Sequence, residues 1–326
     1  ARGFMLALIA LANVPFWLRY FPDAPQVGEA ALAAMNDADQ WWYLVRTLFV
    51  DRRAYPLFSI LFGFGMAIMA SRTIERERRF AMDAIPPELS AGWNTVQWEN
   101  VRDSVERRAR RAASRLIRRR GWWMLAFGLV HGIVFAGDII GAYGLVAVIF
   151  AEVIVMRRPW LRVLVGAIIA SLSMLGIWSM AAMVGREPMV LESHGPVVLD
   201  ASYLLVSLAS WLIATPMTVL TALVVPCVMI GVGVARWGLL QDPRGRGPLL
   251  VGIALVGLGI GALGAVPFAL MQLDWAFVGS AAWSYPLFHA SGVAGACGWL
   301  ALLALVGGGP RESLGSVCAF LSAIGR

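Results

Sequence analysis

Apolar residues in this chain fall into long unbroken runs, not into the alternating or one-faced patterns of a soluble fold. Eight runs approach the roughly 20 residues that a helix needs to cross about 30 Å of hydrocarbon. They are Gly3 to Leu18, Tyr55 to Ala70, Gly121 to Phe135, Ile139 to Met156, Val163 to Met183, Thr215 to Ala235, Leu249 to Met271 and Ala276 to Val306. The pattern predicts an all-α, polytopic transmembrane helix bundle of about eight to nine spans, folded as a single integral membrane domain over 1–326. Ala201 to Leu212 is apolar but falls short of a span before Pro216, so the outer segment 184–214 is expected to hold an interfacial or re-entrant helix. The first run has no upstream flank, and Ser316 to Ile324 opens an apolar helix that stops early. Both ends therefore read as incomplete, with a short segment expected before Ala1 and at least one more helix after Arg326.

Composition agrees with a membrane protein. Hydrophobic residues make up 59% of the chain and charged residues 14%, where a soluble domain carries about 25% charged residues. All 27 basic residues are arginine, a skew read as codon usage; no fold or aromatic platform accompanies them that would suit nucleic acid. They concentrate in Ser71 to Arg120, Arg157 to Arg162 and Arg236 to Arg246, with Arg311 beyond. The loops Arg19 to Ala54, Gly137-Asp138, Val184 to Ser202 and Gln272 to Trp275 hold few. By the positive-inside rule this alternation places the arginine-rich loops on the cytoplasmic side of the membrane. Trp41-Trp42-Tyr43, Trp122-Trp123, Trp160, Trp237 and Trp275 mark predicted span ends, as amphipathic rings do at the headgroup layer.

Within the arginine-rich loop 71–120, Val101, Val105, Ala109, Ala112, Leu116 and Ile117 recur at helical spacing against Arg102, Arg107, Arg110, Arg111, Arg115 and Arg118. Such a basic amphipathic helix suits the surface of membrane lipids with anionic headgroups, and it equally suits a docking surface for a phosphorylated donor such as coenzyme A. Asp83 to Trp98, with Pro86-Pro87, reads as an irregular connector. Cys227, Cys297 and Cys318 lie in apolar segments and read as packing residues, with neither a disulfide framework nor a zinc site among them.

Ionisable groups at membrane depth are costly and point to sites. His131, Asp138, Glu152 and His289 are the candidates. His131 and Asp138 are seven residues apart and would sit about 10 Å apart along a continuous helix, so they pair only if the chain turns at Gly137. If it does, His131 can take a proton from a hydroxyl while Asp138 orients the ring, which makes the two a candidate catalytic pair. The structural alternatives are a His131 hydrogen bond to a neighbouring helix and Asp138 as the N-cap of the next helix. His289 follows Tyr285-Pro286 at a predicted kink, and His194 stands in a loop. Gly259, Gly261 and Gly264 match a dinucleotide-binding spacing but lie in an apolar run, whereas Gly257 and Gly261 make the G-x-x-x-G of close helix approach. Gly63 and Gly65 read the same way.

Arg2-Gly3-Phe4 with Leu8, Leu11 and Asn13, the run Tyr55-Pro56-Leu57-Phe58-Ser59 through Gly63-Phe64-Gly65, and Gly128, His131, Gly137-Asp138-Ile139-Ile140 with Tyr143-Gly144-Leu145 together resemble the motifs of the YeiB-like membrane proteins, the domain of unknown function 418 group. The family's acidic residue before Arg-Gly and its C-terminal motif have no counterpart here. By its likeness to membrane acyltransferases, the resemblance implies His131 and Asp138 as catalytic groups. Tyr143, Arg2, Asn13 and His289 would bind substrate, and acyl-CoA would be the donor, its phosphates facing Arg2 and the Arg107 to Arg120 helix. The leading expectation is an enzyme that moves an acyl group to a cell-envelope acceptor. A transporter or lipid-handling protein, and a homo-oligomer or structural partner of a membrane complex, stand beside it.

Overall fold

The computed structural model describes residues 2–18, 35–134, 138–184, 201–240, 243, 245–276, 281–307, 320 and 323. The expectations at 19–34, Gly137, His194, Arg311, Cys318 and 316–319 lie outside the described residues. Among the described residues the fold is all-helical: α1 (Arg2–Leu18), α2 (Asp37–Phe49), α3 (Ala54–Asp83), α4 (Pro87–Ser90), α5 (Thr95–Val134), α6 (Ile140–Val155), α7 (Pro159–Val184), α8 (Ala201–Thr221), α9 (Val224–Trp237), α10 (Gly247–Gln272) and α11 (Ala281–Gly307).

Five described helical stretches are long and apolar enough to cross a membrane: Asp37–Asp83, Pro159–Met183, Ser202–Thr221, Gly247–Gln272 and Ala282–Gly307. Val163, Met183, Leu205, Ile213, Leu255 and Leu263 are each at least 66% exposed, an arrangement that water would penalise and acyl chains would not. These helices mark a membrane protein.

Several expected spans take a different form. The run Thr215 to Ala235 is divided: α8 continues through Pro216, and the chain breaks at Ala222-Leu223, where Leu223 takes φ 57°. Ala201 to Leu212 is thus part of a 21-residue helix. The fourth run forms the 16-residue α6, about 24 Å long at 1.5 Å per residue and short of a hydrocarbon core. The third run is the end of α5, a 40-residue helix whose first half is the arginine-rich amphipathic segment. That segment is therefore no separate interfacial helix. The Asp83 to Trp98 connector holds α4, and Asn94 and Gln97 then open α5 with reciprocal side-chain-to-backbone bonds of 2.9 and 2.8 Å. An equivalent box at Asn36 and Asp39 starts α2 inside the segment expected as an outer loop.

The contact pattern defines two compact units: 1–59, 170–203 and 238–326 in the first, 60–169 and 204–237 in the second. In the first, α10 and α11 meet through small residues. A Cβ on Gly257 would lie 2.6 Å from the Ala294 carbonyl, and one on Gly261 2.7 Å from Gly295 Cα, so the G-x-x-x-G spacing does bring backbones together. At the α2–α3 elbow, Arg52 adopts φ 60°, and its carbonyl would lie 2.2 Å from a Cβ on Gly292. Arg53, 1% exposed, donates to the backbone carbonyls of Thr47, Asp51 and Gly261 and lies over the Phe288 ring.

In the second unit α5 and α6 form an antiparallel hairpin. Gly128 faces Gly141, Gly121 faces Gly144, Ser114 donates to Glu152 at 2.8 Å, and Arg110 reaches the Val155 carbonyl. Ala109, Ala113 and Ile117 are buried along this side, while Val101, Val105, Ala112 and Leu116 are half-buried, so protein covers only part of the apolar stripe of the basic helix. Arg110, Arg162 and Arg236, from three helices, donate to the carbonyls of Val155, Met156 and Ile154 at the electronegative C-terminus of α6.

The seam between α3 and α9 predicts a matched pair of substitutions. A Cβ on Gly231 would sit 1.9 Å from the Ile60 carbonyl, whereas one on Gly233, on the same helix, would meet nothing within 4 Å. Gly231→Ala should lower stability by about 1–3 kcal/mol through overpacking, while Gly233→Ala should raise it by about 0.5–1 kcal/mol through helix propensity. Thermal unfolding of the purified protein in detergent reads both signs.

Candidate functional site

The chain does turn after α5, and the turn brings His131 and Asp138 together. His131 Nδ1 lies 2.9 Å from Asp138 Oδ1. The carboxylate is held on all sides. Oδ1 also accepts the Ile140 N–H at 3.0 Å, and Oδ2 accepts the Gly141 N–H and the Trp211 indole N–H, both at 2.9 Å. The two backbone donors belong to the first turn of α6, so Asp138, the residue before the N-cap position Ile139, accepts helix N–H groups in the manner of a cap as well as pairing with His131. The two expectations for this residue, cap and partner of His131, hold at once.

The geometry defines the chemistry of the ring. A carboxylate only accepts, so the Nδ1 facing Oδ1 carries hydrogen, and Nε2 is the basic nitrogen of that tautomer. The Asp138 side chain is 2% exposed and that of His131 42%, so the acid is shielded while the imidazole retains an accessible face. A buried acid orienting a half-exposed imidazole is an arrangement that general-base chemistry can use.

Small residues make this packing feasible. A Cβ on Gly128 would come within 2.4 Å of the Gly141 nitrogen and 2.9 Å of Asp138 Oδ2. One on Gly132 would come within 2.1 Å of Trp211 Cδ1, and one on Gly141 within 2.7 Å of the Trp211 ring. The glycines around His131 are thus the clearance for a tryptophan and a carboxylate. Trp211 escaped the sequence reading; the one available signal was an indole in the middle of an apolar run and not at its end.

The other expected site residues are placed as follows. Tyr143 is fully buried in α6, its ring tilted on Phe62 with centroids 5.0 Å apart. Asn13 donates to the Ile9 carbonyl of its own helix at 2.8 Å. The Arg2 side chain lies outside the described residues. His289 is buried in the first unit, with Nδ1 3.0 Å from the Tyr285 carbonyl and its ring edge-on to the Tyr285 ring. Beside it, Arg52 donates to the Tyr285 hydroxyl at 2.8 Å. Arg52, Arg53, Tyr285 and His289 form a second polar cluster, which the sequence reading missed because both arginines stood in an apparent loop. Glu152 accepts from Ser114 and lies 3.3 Å from Arg118.

No family model matches the chain, and no curated protein or solved structure is significantly similar to it.

The double duty of Asp138 separates two substitutions. Asp138→Ala removes the acceptor for two helix N–H groups and the indole, and should cost about 0.5–2 kcal/mol for the lost cap, with a further loss from the stranded Trp211 donor. Asp138→Asn keeps an oxygen for the cap and should cost less. Trp211→Phe should fall between wild type and Asp138→Ala, as measured by thermal unfolding of the three variants.

Proposed function

We propose that this protein is a membrane enzyme in which His131, oriented by Asp138, removes a proton from an acceptor hydroxyl during acyl transfer. The observation that carries this reading is the 2.9 Å contact between Nδ1 of the half-exposed His131 and the buried Asp138 carboxylate. In the proposed step Nε2 takes the hydroxyl proton as the acceptor oxygen bonds to a thioester carbonyl carbon. The carbon–sulfur bond then breaks, and the proton passes to the departing thiolate. Asp138 stabilises the imidazolium formed in between. The resemblance to the YeiB-like proteins implies acyl-CoA as the donor and a cell-envelope sugar or lipid as the acceptor. It also implies substrate contacts from Tyr143, Arg2, Asn13 and His289.

The same reading extends to eight or nine spans in a bacterial inner membrane, with the short helices α6 and α9 embedded among the longer ones. The positive-inside rule places Arg107 to Arg120 and Arg157 to Arg162 in the cytoplasm. His131 lies 16 residues beyond Arg115 on the same helix, about 24 Å along its axis. The pair would then work toward the outer face, where an envelope acceptor is found.

His131→Gln tests the proposal. Membranes containing the protein should consume a radiolabelled acyl-CoA and transfer label to the lipid or glycan fraction, and the variant should lose about 10²–10⁴-fold of that rate while its thermal unfolding stays close to wild type. A folded variant with undiminished transfer, or a wild-type protein that consumes no more thioester than control membranes, would sink the idea.

A further inference from the structure

A second site lies on the arginine-rich part of the second unit and does not depend on the His131 reading. The extension of α3 beyond Ala70 and the first half of α5 border a half-open cavity of about 410 Å³. That volume falls within the range of about 300–1,000 Å³ typical of ligand pockets. Ser104, Arg107, Arg108, Arg111, Ala112 and Arg115 line it from α5, the arginines standing at i, i+1, i+4 and i+8 along the helix, and Glu77 lines it from α3.

The local supply of acids makes these arginines distinct. Glu75 is taken by Arg78 and Arg79, Glu77 by Arg76, Glu106 by Arg110, and Glu152 by Arg118. Among the described residues no carboxylate lies within ion-pair distance of Arg107, Arg108, Arg111 or Arg115. Four guanidinium groups thus face one cavity whose single acid, Glu77, already has a partner. The four guanidinium groups are solvent-exposed and open to a ligand, and the forked N–H groups of arginine match the oxygens of phosphate in pairs. Solvation of an exposed basic face alone does not require the four to converge on a cavity.

We infer that this cavity binds a phosphate-bearing anion of at least two negative charges, held between Arg107, Arg108, Arg111 and Arg115. The phosphate can belong to a lipid headgroup or to a water-soluble phosphorylated compound, and the recognition chemistry is the same for both.

Inorganic pyrophosphate and defined lipids separate the sources. The full chain, purified in a neutral detergent, is titrated with pyrophosphate by calorimetry at low and high salt. In parallel it is reconstituted into nanodiscs of phosphatidylcholine with and without phosphatidylglycerol, and thermal unfolding is followed. The pocket variant is Arg107→Gln with Arg111→Gln, and the control is Arg78→Gln with Arg79→Gln, which removes the same charge from positions outside the cavity that pair with Glu75 and not with Glu77. Affinity for pyrophosphate should fall at least about tenfold in the pocket variant and stay within about twofold in the control, on the scale of one charge-assisted hydrogen bond. Pocket-dependent pyrophosphate binding assigns a soluble phosphate. A phosphatidylglycerol-dependent rise in unfolding temperature that the pocket variant alone loses, without pyrophosphate binding, assigns a headgroup. Equal behaviour of the pocket and control variants in both arms, or no response to either anion, overturns the inference. Arg115→Gln alone provides the same readout should the double variant fold poorly.

Discussion

Hydrocarbon supplies no hydrogen bonds, so every polar group carried into the apolar segments of this chain has to find its partner within the protein. Asp138 shows how completely that demand is met: four donors converge on its two oxygens. Arg53 is met differently and only in part, by three backbone carbonyls and the face of Phe288, with its buried Nε left without a hydrogen-bond partner. The end of α6 answers the same demand in reverse, with three guanidinium groups on the carbonyls that the helix leaves unpaired.

Matching polar groups at these depths requires helices to approach closely, and glycine provides that approach. Gly128 and Gly141 bring α5 and α6 near enough for the Asp138 carboxylate to reach a ring seven residues earlier in the chain, and Gly132 admits the indole that completes it. Stability and chemistry therefore share atoms. The oxygens that accept the first N–H groups of α6 also hold His131, so the hairpin and the placement of the imidazole depend on the same side chain.

The hairpin also separates its two chemical ends. Guanidinium groups crowd the portion of α5 around Arg107 to Arg115, and the imidazole lies about 24 Å farther along the axis. A single 40-residue helix thus carries both the arginine-rich surface and the imidazole. The second polar cluster, around Arg52, Arg53, Tyr285 and His289, belongs to the other unit and has its own supporting glycines at Gly292 and Gly295.

The sequence by itself determined that the chain is helical and membrane-embedded, because runs of apolar residues and the near absence of charge within them are one-dimensional properties. It also singled out His131 and Asp138, since ionisable groups are conspicuous against an apolar background, and it foresaw the close approach at Gly257 and Gly261. Only the tertiary structure decided that α5 runs unbroken for 40 residues, that the helix break falls at Leu223 and not at Pro216, and that the fold divides into two units. The partners of Asp138 were equally hidden: Trp211 lies 73 residues away, and nothing local in either segment encodes that meeting. Arg53 looked like a loop residue because its compensation comes from carbonyls, which every residue carries and no sequence pattern distinguishes. Long-range pairing depends on which helix faces meet, and that is settled by packing of the whole molecule, not by the composition of any one stretch.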